Sequence, residues 1–438
     1  MSDEHTDPAA PDAPIADSPG TDSTEAAGEA ERQGDRVGLP RIVTALAVVN
    51  ALTRVAWVAT ATILLPVQII AAVGEANKET WIGIITTVGT AVGIVFSPLV
   101  GRWSDRTRSR LGRRAPWLLA GAAGAAVAYA MVGLFTQSIT LLVAWCLQQA
   151  AYMAITMATN TVLPERVPLK KRGLVTGVTA LVAVGAALTA SFIGAAFISN
   201  VVVGMFLMGG LCLVGAVCFV VLAPMRSSKG LGAAGESRKG FSFADFVSAF
   251  KNRNYRWMWI GIACMTLAYQ FILSRAVYFC QAWFDLELQA AADTTAAAVA
   301  VGGLAQMVAM VAVGPLSDKL GRRPFMYAGG VVQAGGLLFV LTTHNPGVFL
   351  GAYSVVCLGA GLFMGAQLPL AADVLPDGQD FGQDIGFYQL SNQLPQMLAP
   401  ALGTLILAVS GTYAAMMVVG AVASLLGVVA IVRIKGVR

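Results

Sequence analysis

Apolar stretches of about 20 residues recur roughly every 30 residues along this chain, separated by short polar connectors. As a helix, each stretch is long enough to cross about 30 Å of hydrocarbon at ~1.5 Å of rise per residue. The pattern predicts twelve spans: 42–70, 80–100, 117–136, 139–163, 173–198, 201–223, 256–283, 292–315, 325–343, 347–372, 385–409 and 412–433. A helix satisfies its own backbone hydrogen bonds, which hydrocarbon cannot do for it. The expected fold class is therefore an all-α membrane protein of twelve transmembrane helices.

Composition agrees with the pattern. Of 438 residues, 56% are hydrophobic and 12% charged, with a mean hydropathy of +0.70. Soluble domains carry about 25% charged residues, so half the usual polar surface is missing. Residues 1–40 are different: up to Asp35 they hold ten acidic residues against one basic residue, Arg32. With no apolar run, this stretch reads as a disordered acidic cytoplasmic tail rather than a signal or an anchor. The six cysteines (Cys146, Cys212, Cys218, Cys264, Cys280, Cys357) all fall in apolar stretches and form no CxxC pair, so they read as small packing residues. Two histidines, His5 and His344, leave no basis for a metal centre or a His-based catalyst. No cofactor, enzymatic activity or nucleic-acid partner is expected.

Charge sets the orientation. Of 29 Lys and Arg, all but Arg54, Lys78 and Arg275 fall on one side when both termini are placed in the cytoplasm of a cell membrane. The connector 224–255 holds Arg226, Lys229, Arg238, Lys239, Lys251 and Arg253 and divides the spans six and six. The halves are expected at 41–223 and 256–438. Phe241, Phe243, Phe246 and Phe250 suggest a short amphipathic helix in the connector. A plain linker is the simpler alternative.

The halves also repeat. After the second span the chain reads Gly101-Arg102-Trp103-Ser104-Asp105-Arg106, then Leu111-Gly112-Arg113-Arg114-Ala115-Pro116. After the eighth it reads Gly314-Pro315-Leu316-Ser317-Asp318-Lys319-Leu320-Gly321-Arg322-Arg323-Pro324. Val162-Leu163-Pro164 is answered by Val374-Leu375-Pro376, and Gly173 by Gly386. A separation near 210 residues throughout implies two halves of the same topology, with a site at mid-depth between them.

The doubled loop resembles the signature of the major facilitator superfamily. Its longer first copy, from Ser104 to Trp117, and the end of the first span, Leu64-Leu65-Pro66-Val67-Gln68, are similar to sucrose transporters and glycoside/pentoside/hexuronide symporters. The resemblance implies two six-helix bundles that rock by alternating access, a sugar or glycoside as solute, and a cytoplasmic gating clasp at Gly101, Asp105, Arg106, Gly112, Arg113, Arg114, Gly314, Asp318, Gly321, Arg322 and Arg323. Physically, a carboxylate beside a tight Gly turn can accept hydrogen bonds from a helix N-terminus, while the arginines meet anionic headgroups. A pure topology signal is the alternative reading.

Ionisable groups in hydrocarbon are functional by default. Arg54 lies thirteen residues after Arg41, roughly 20 Å along the first helix. Arg275 lies nearer the outer leaflet, where it could snorkel. Helical spacing adds Asn50 and Trp57 beside Arg54, and Gln148, Gln149 and Tyr152 on span four. Span seven adds Tyr269 and Gln270 beside Arg275, and span eleven Asn392 and Gln393. Together these are the candidate substrate-binding residues; interhelical hydrogen bonding is the competing role. Apart from Asp293 at the very start of the eighth, no Asp or Glu falls inside the predicted spans, unlike the buried carboxylates common in coupled members of the superfamily. Span five, with Gly185-Ala186-Ala187-Leu188, lacks the Gly-Pro-x-x-Gly run of drug/proton antiporters. The expected function is transport of a small hydrophilic solute. An organic or inorganic anion bound by Arg54 and Arg275 is the alternative, and a non-transporting receptor of the same fold is the rival from another class. The expected partners are the solute, the bilayer and a coupling proton or cation, with the chain a monomer.

Overall fold

The computed structural model describes residues 38–112, 114–160, 162, 166, 167, 169–225, 250, 252–374 and 381–434. The acidic tail up to residue 37, Arg113, Leu163-Pro164, Leu375-Pro376 and the connector aromatics Phe241, Phe243 and Phe246 lie outside the described residues.

The described chain is helical throughout. Span one comprises α1 (Leu39–Ala59), a π-helical turn (Thr60–Leu64) and α2 (Leu65–Val73). Then come α3 (Lys78–Arg106), α4 (Ala115–Leu134), α5 (Ser138–Asn160), α6 (Leu169–Ala196) and α7 (Val201–Leu222). Span seven is split into α8 (Arg253–Leu273) and α9 (Ala276–Phe284), followed by α10 (Leu288–Leu320), α11 (Arg323–Val340), α12 (Pro346–Val374), α13 (Phe381–Ser410) and α14 (Tyr413–Val432). Ten helical segments among the described residues are long and apolar enough to cross a membrane. The two other predicted spans, α6 and the 18-residue α11 that opens on Arg323, are helical as well.

The packing repeats as the sequence does. In the first half span one packs on spans five and six, span four on spans two and three, and span three on span six. The second half reproduces each pair six spans later. Between halves, α3 packs on α13 and α6 on α10, two contacts that a pseudo-two-fold exchanges. The loop glycines match too: Gly112 has φ 86° and Gly321 φ 89°, a left-handed turn that favours glycine. Each turn leads into a helix with proline in its first turn, where the missing N–H costs no intrahelical bond.

Lipid gives helices no hydrophobic reason to associate, so close backbone approach carries the packing. A Cβ on Gly359 would lie 2.5 Å from the Gln333 nitrogen, and one on Gly329 2.8 Å from the Gly359 carbonyl oxygen. Gly89 faces Trp145, and Gly361 faces the Gln306 carbonyl, which makes these glycines points of helix contact. The outward faces carry the apolar side chains, such as Val95, Ile139, Val221 and Val409, exposed by 64–82%.

Spans one and seven depart from regular helix at corresponding places. The π turn precedes Pro66, and α8 gives way to α9 at Ser274 and Arg275. One boundary corrects an expectation with consequences: α3 begins at Lys78, so Glu79 sits in its first turn. Like Asp293 in α10, this carboxylate therefore belongs to a membrane-crossing helix.

Candidate functional site

Arg54 sits three-quarters of the way along α1, half-buried, and its side chain makes no hydrogen bond or ion pair. One turn on, Trp57 donates from Nε1 to Gln149 Oε1 at 3.0 Å and stacks on Tyr152 with ring centroids 5.7 Å apart. Spans one and four are thus joined beside an unpartnered guanidinium. Asn50, one turn earlier, donates to its own helix at the Leu46 carbonyl (2.8 Å). Gln148 does not join this group: it is buried, and its Nε2 donates to the Tyr129 hydroxyl on α4 at 2.9 Å. Successive helix positions differ by about 100°, so neighbouring glutamines serve different interfaces.

The second half supplies a polar group on α8, α10 and α13. Thr266 Oγ1 donates to Asn392 Oδ1 at 3.3 Å, linking α8 to α13. The Tyr269 hydroxyl lies 3.4 Å from Gln306 Oε1, whose amide nitrogen meets Met364 Sδ at 3.1 Å. Gln270 and Gln393 are half-buried and their side chains make no hydrogen bond. Trp57 and Tyr269 stand 212 residues apart, the separation of Leu163 and Leu375 in the sequence repeat. Gln306 was missed from the sequence, although a lone amide inside an apolar span was available as its signal.

Arg275 lies elsewhere, and the expectation that it could snorkel is corrected. Its side chain is wholly buried, with Nε 2.7 Å from Glu79 Oε2. Nη2 donates to the Pro400 carbonyl at 2.6 Å and to Thr404 Oγ1 at 2.5 Å. The Tyr413 hydroxyl donates to the other Glu79 oxygen, and Thr404 Oγ1 to the Glu79 carbonyl at 2.9 Å. Gly403 is required beneath the guanidinium, because a Cβ there would lie 2.5 Å from Nη1. The physical reason is desolvation: a buried guanidinium is stable only beside a counter-charge and acceptors for its N–H groups.

Further contacts tie the halves at the same end. The Tyr278 hydroxyl donates to the Pro66 carbonyl (2.8 Å), Lys78 Nζ to Gln281 Oε1 (3.1 Å) and Gln289 Nε2 to the Ala195 carbonyl (3.3 Å). Lys78 also lies over the Tyr278 ring at 4.9 Å and pairs with Glu75 at 2.5 Å. This latch spans α2, α3 and α6 on one side and α9, α10, α13 and α14 on the other.

The doubled motif occupies the opposite end. Arg114 is buried and donates from Nη1 to Ser104 Oγ at 2.9 Å, while Trp103 stacks on Trp117 at 5.7 Å. Trp117 Nε1 donates to Thr107 Oγ1 at 2.8 Å, closing the loop around Gly112. In the second copy, Arg322 Nη1 donates to the Pro369 carbonyl at 2.6 Å and Arg323 Nη2 to the Val432 carbonyl at 3.1 Å. Arg106 is exposed. Gly101 and Gly314 lie within α3 and α10, and the side chains of Asp105 and Asp318 lie outside the described residues. Arg166, missed from the sequence, is buried and donates to the Ala223 carbonyl at 3.0 Å.

Solved structures share this architecture. The chain is similar to the nucleoside transporter NupG, at 12% identity and TM-score 0.70, over 91% of this chain and 100% of that one. A bacterial homologue of the iron transporter ferroportin in an inward-facing state matches at 16% and 0.68, over 90% and 99%. A bacterial homologue of the human lysosomal transporter Spinster, inward-facing and occupied, matches at 13% and 0.67, over 89% and 95%. At these identities the likeness concerns the fold. The sequence profile of the Major Facilitator Superfamily matches residues 43–289 and 275–437, and with that coverage the chain belongs to this superfamily of transporters.

Proposed function

We propose that the chain carries a small hydrophilic solute across a cell membrane, binding it at mid-depth between Arg54, Trp57, Gln149 and Tyr152 of one half and Tyr269, Gln270, Asn392 and Gln393 of the other. Both termini face the cytoplasm in this reading, supported by the one-sided distribution of Lys and Arg. The state described is then closed on the outside by the Glu79–Arg275 latch, with access to the site from the cytoplasm. Two inward-facing structural relatives are consistent with that assignment.

One observation carries the reading: Arg54 is half-buried at mid-depth with no hydrogen bond or ion pair. A guanidinium is kept in such a place when something that visits the site stabilises it. The resemblance to sucrose and glycoside carriers supports a sugar or glycoside. Arg54, with Trp57 and Tyr152 beside it, supports a solute that also carries an acidic group. Arg275 drops out of the binding set, because its charge is paired with Glu79 and its Nε and Nη2 are engaged by the latch.

Uptake of radiolabelled sugars, sugar acids and other organic anions into proteoliposomes, with and without a pH gradient, tests the reading and shows whether a proton is coupled. For an anionic solute, Arg54→Gln removes a charge-assisted contact of roughly 1.5–3 kcal/mol. Apparent affinity falls about tenfold to more than a hundredfold. Arg54→Lys recovers part of this, since a point charge does not reproduce the planar fork. A neutral sugar as solute predicts a small affinity change. Unchanged affinity and unchanged rate in both variants would remove Arg54 from the site.

A further inference from the structure

We propose that the corner where α8, α11 and α14 meet at the arginine-rich end binds the phosphate of an anionic phospholipid. Arg253, Arg256 and Trp257 occupy the first turn and a half of α8, at the i, i+3 and i+4 spacing that puts them on one face. Arg433, just beyond α14, lies over the Trp257 ring with its guanidinium carbon 4.5 Å from the centroid. The residue before it, Val432, accepts from Arg323 through its carbonyl, and Arg323 lies over Tyr327 at 5.7 Å. Three helix ends therefore bring four arginines and two aromatic rings to one place.

Charge and location select the ligand. The side chains of Arg253, Arg256 and Arg433 are exposed, and none makes a hydrogen bond or ion pair. The Arg433 guanidinium lies over the indole and its N–H groups make no hydrogen bond, so they can meet oxygen acceptors. Among the described residues no carboxylate pairs with Arg253, Arg256 or Arg433, so their charges repel one another, and a phosphodiester relieves that repulsion while matching the fork geometry. The adjoining face of α14 is apolar and outward: Leu426 is 57% exposed, Val429 48% and Val432 54%. Acyl chains can lie along this face with the headgroup at the arginines, and Trp257 and Tyr327 suit the interfacial depth.

The other half lacks the arrangement, so a topology signal alone does not account for it. Arg41, equivalent to Arg253 in the repeat, is exposed, but the position equivalent to Trp257 is the buried Ala45. Arg114, the counterpart of Arg323, is buried against Ser104.

The test is native mass spectrometry of the purified full chain in mixed phosphatidylglycerol and phosphatidylcholine. Wild type is expected to retain phosphatidylglycerol preferentially, and Arg256→Gln with Arg433→Gln to lower that retention roughly thirtyfold. Arg41→Gln is expected to leave it unchanged. Equal retention of the two lipids, unchanged retention in the double variant, or an equal loss in Arg41→Gln would each overturn the proposal. Displacement of the lipid by millimolar inorganic phosphate would assign the site to free phosphate instead. If the double variant does not fold, Arg256→Gln decides alone, as its side chain is exposed and makes no hydrogen bond or ion pair.

Discussion

Glu79→Gln is the substitution that most directly questions the Glu79–Arg275 latch. The change keeps the size of the side chain and an acceptor for Tyr413, but removes the charge facing a fully buried Arg275. Removing one partner of a buried ion pair costs about 3–5 kcal/mol, because the other charge stays desolvated. Glu79 has 24% of its side chain exposed, so the lower end, about 3 kcal/mol, is the better guide. That cost falls on the latched state, since separating the halves lets water solvate Arg275. At about 1.4 kcal/mol per factor of ten, the latched-to-open ratio drops roughly a hundredfold. Spin labels at cysteines replacing the exposed Ala76 and Ala290, in a chain cleared of its native cysteines, read this as a distance distribution across the latch. The variant is expected to gain a longer-distance population that wild type lacks. Arg275→Gln should act in the same direction, and the double variant should cost less than the sum of the two. An unchanged distribution, or strictly additive effects, would refute the latch.

Two further outcomes follow from other parts of the molecule. Gly359→Ala should destabilise the second bundle by about 1–3 kcal/mol, since the added Cβ meets the Gln333 nitrogen at 2.5 Å and backbone atoms cannot yield as a side chain would. A fall in apparent Tm in detergent is the readout, and an unchanged Tm would mean that α11 and α12 can part freely. Asp105→Asn, in the first copy of the doubled loop, should cut transport while expression and solute affinity stay near wild type. Normal transport in that variant would reduce the motif to a topology signal.

Hydropathy is a local property, which is why the helical segments could be read from the chain with ends displaced by only a few residues. The repeat was legible for a similar reason: Gly112 and Gly321 must both adopt positive φ, and so both copies must spell glycine. Arg54 also stood out in the sequence, because a cation inside an apolar run is visible without a fold. The latch was not legible. Glu79 lies 196 residues from Arg275 and 334 from Tyr413, and its position at the edge of an apolar stretch placed it outside the predicted span. Only packing of α3 against α13 brings it beneath the guanidinium, and only burial makes that pairing compulsory. The same holds for Gln148 and Gln149: they are adjacent in sequence, yet a turn of about 100° sends one to Tyr129 and the other to Trp57. Sequence determined which residues are too polar for lipid; tertiary structure decided which of them are already satisfied and which, like Arg54, make no hydrogen bond or ion pair.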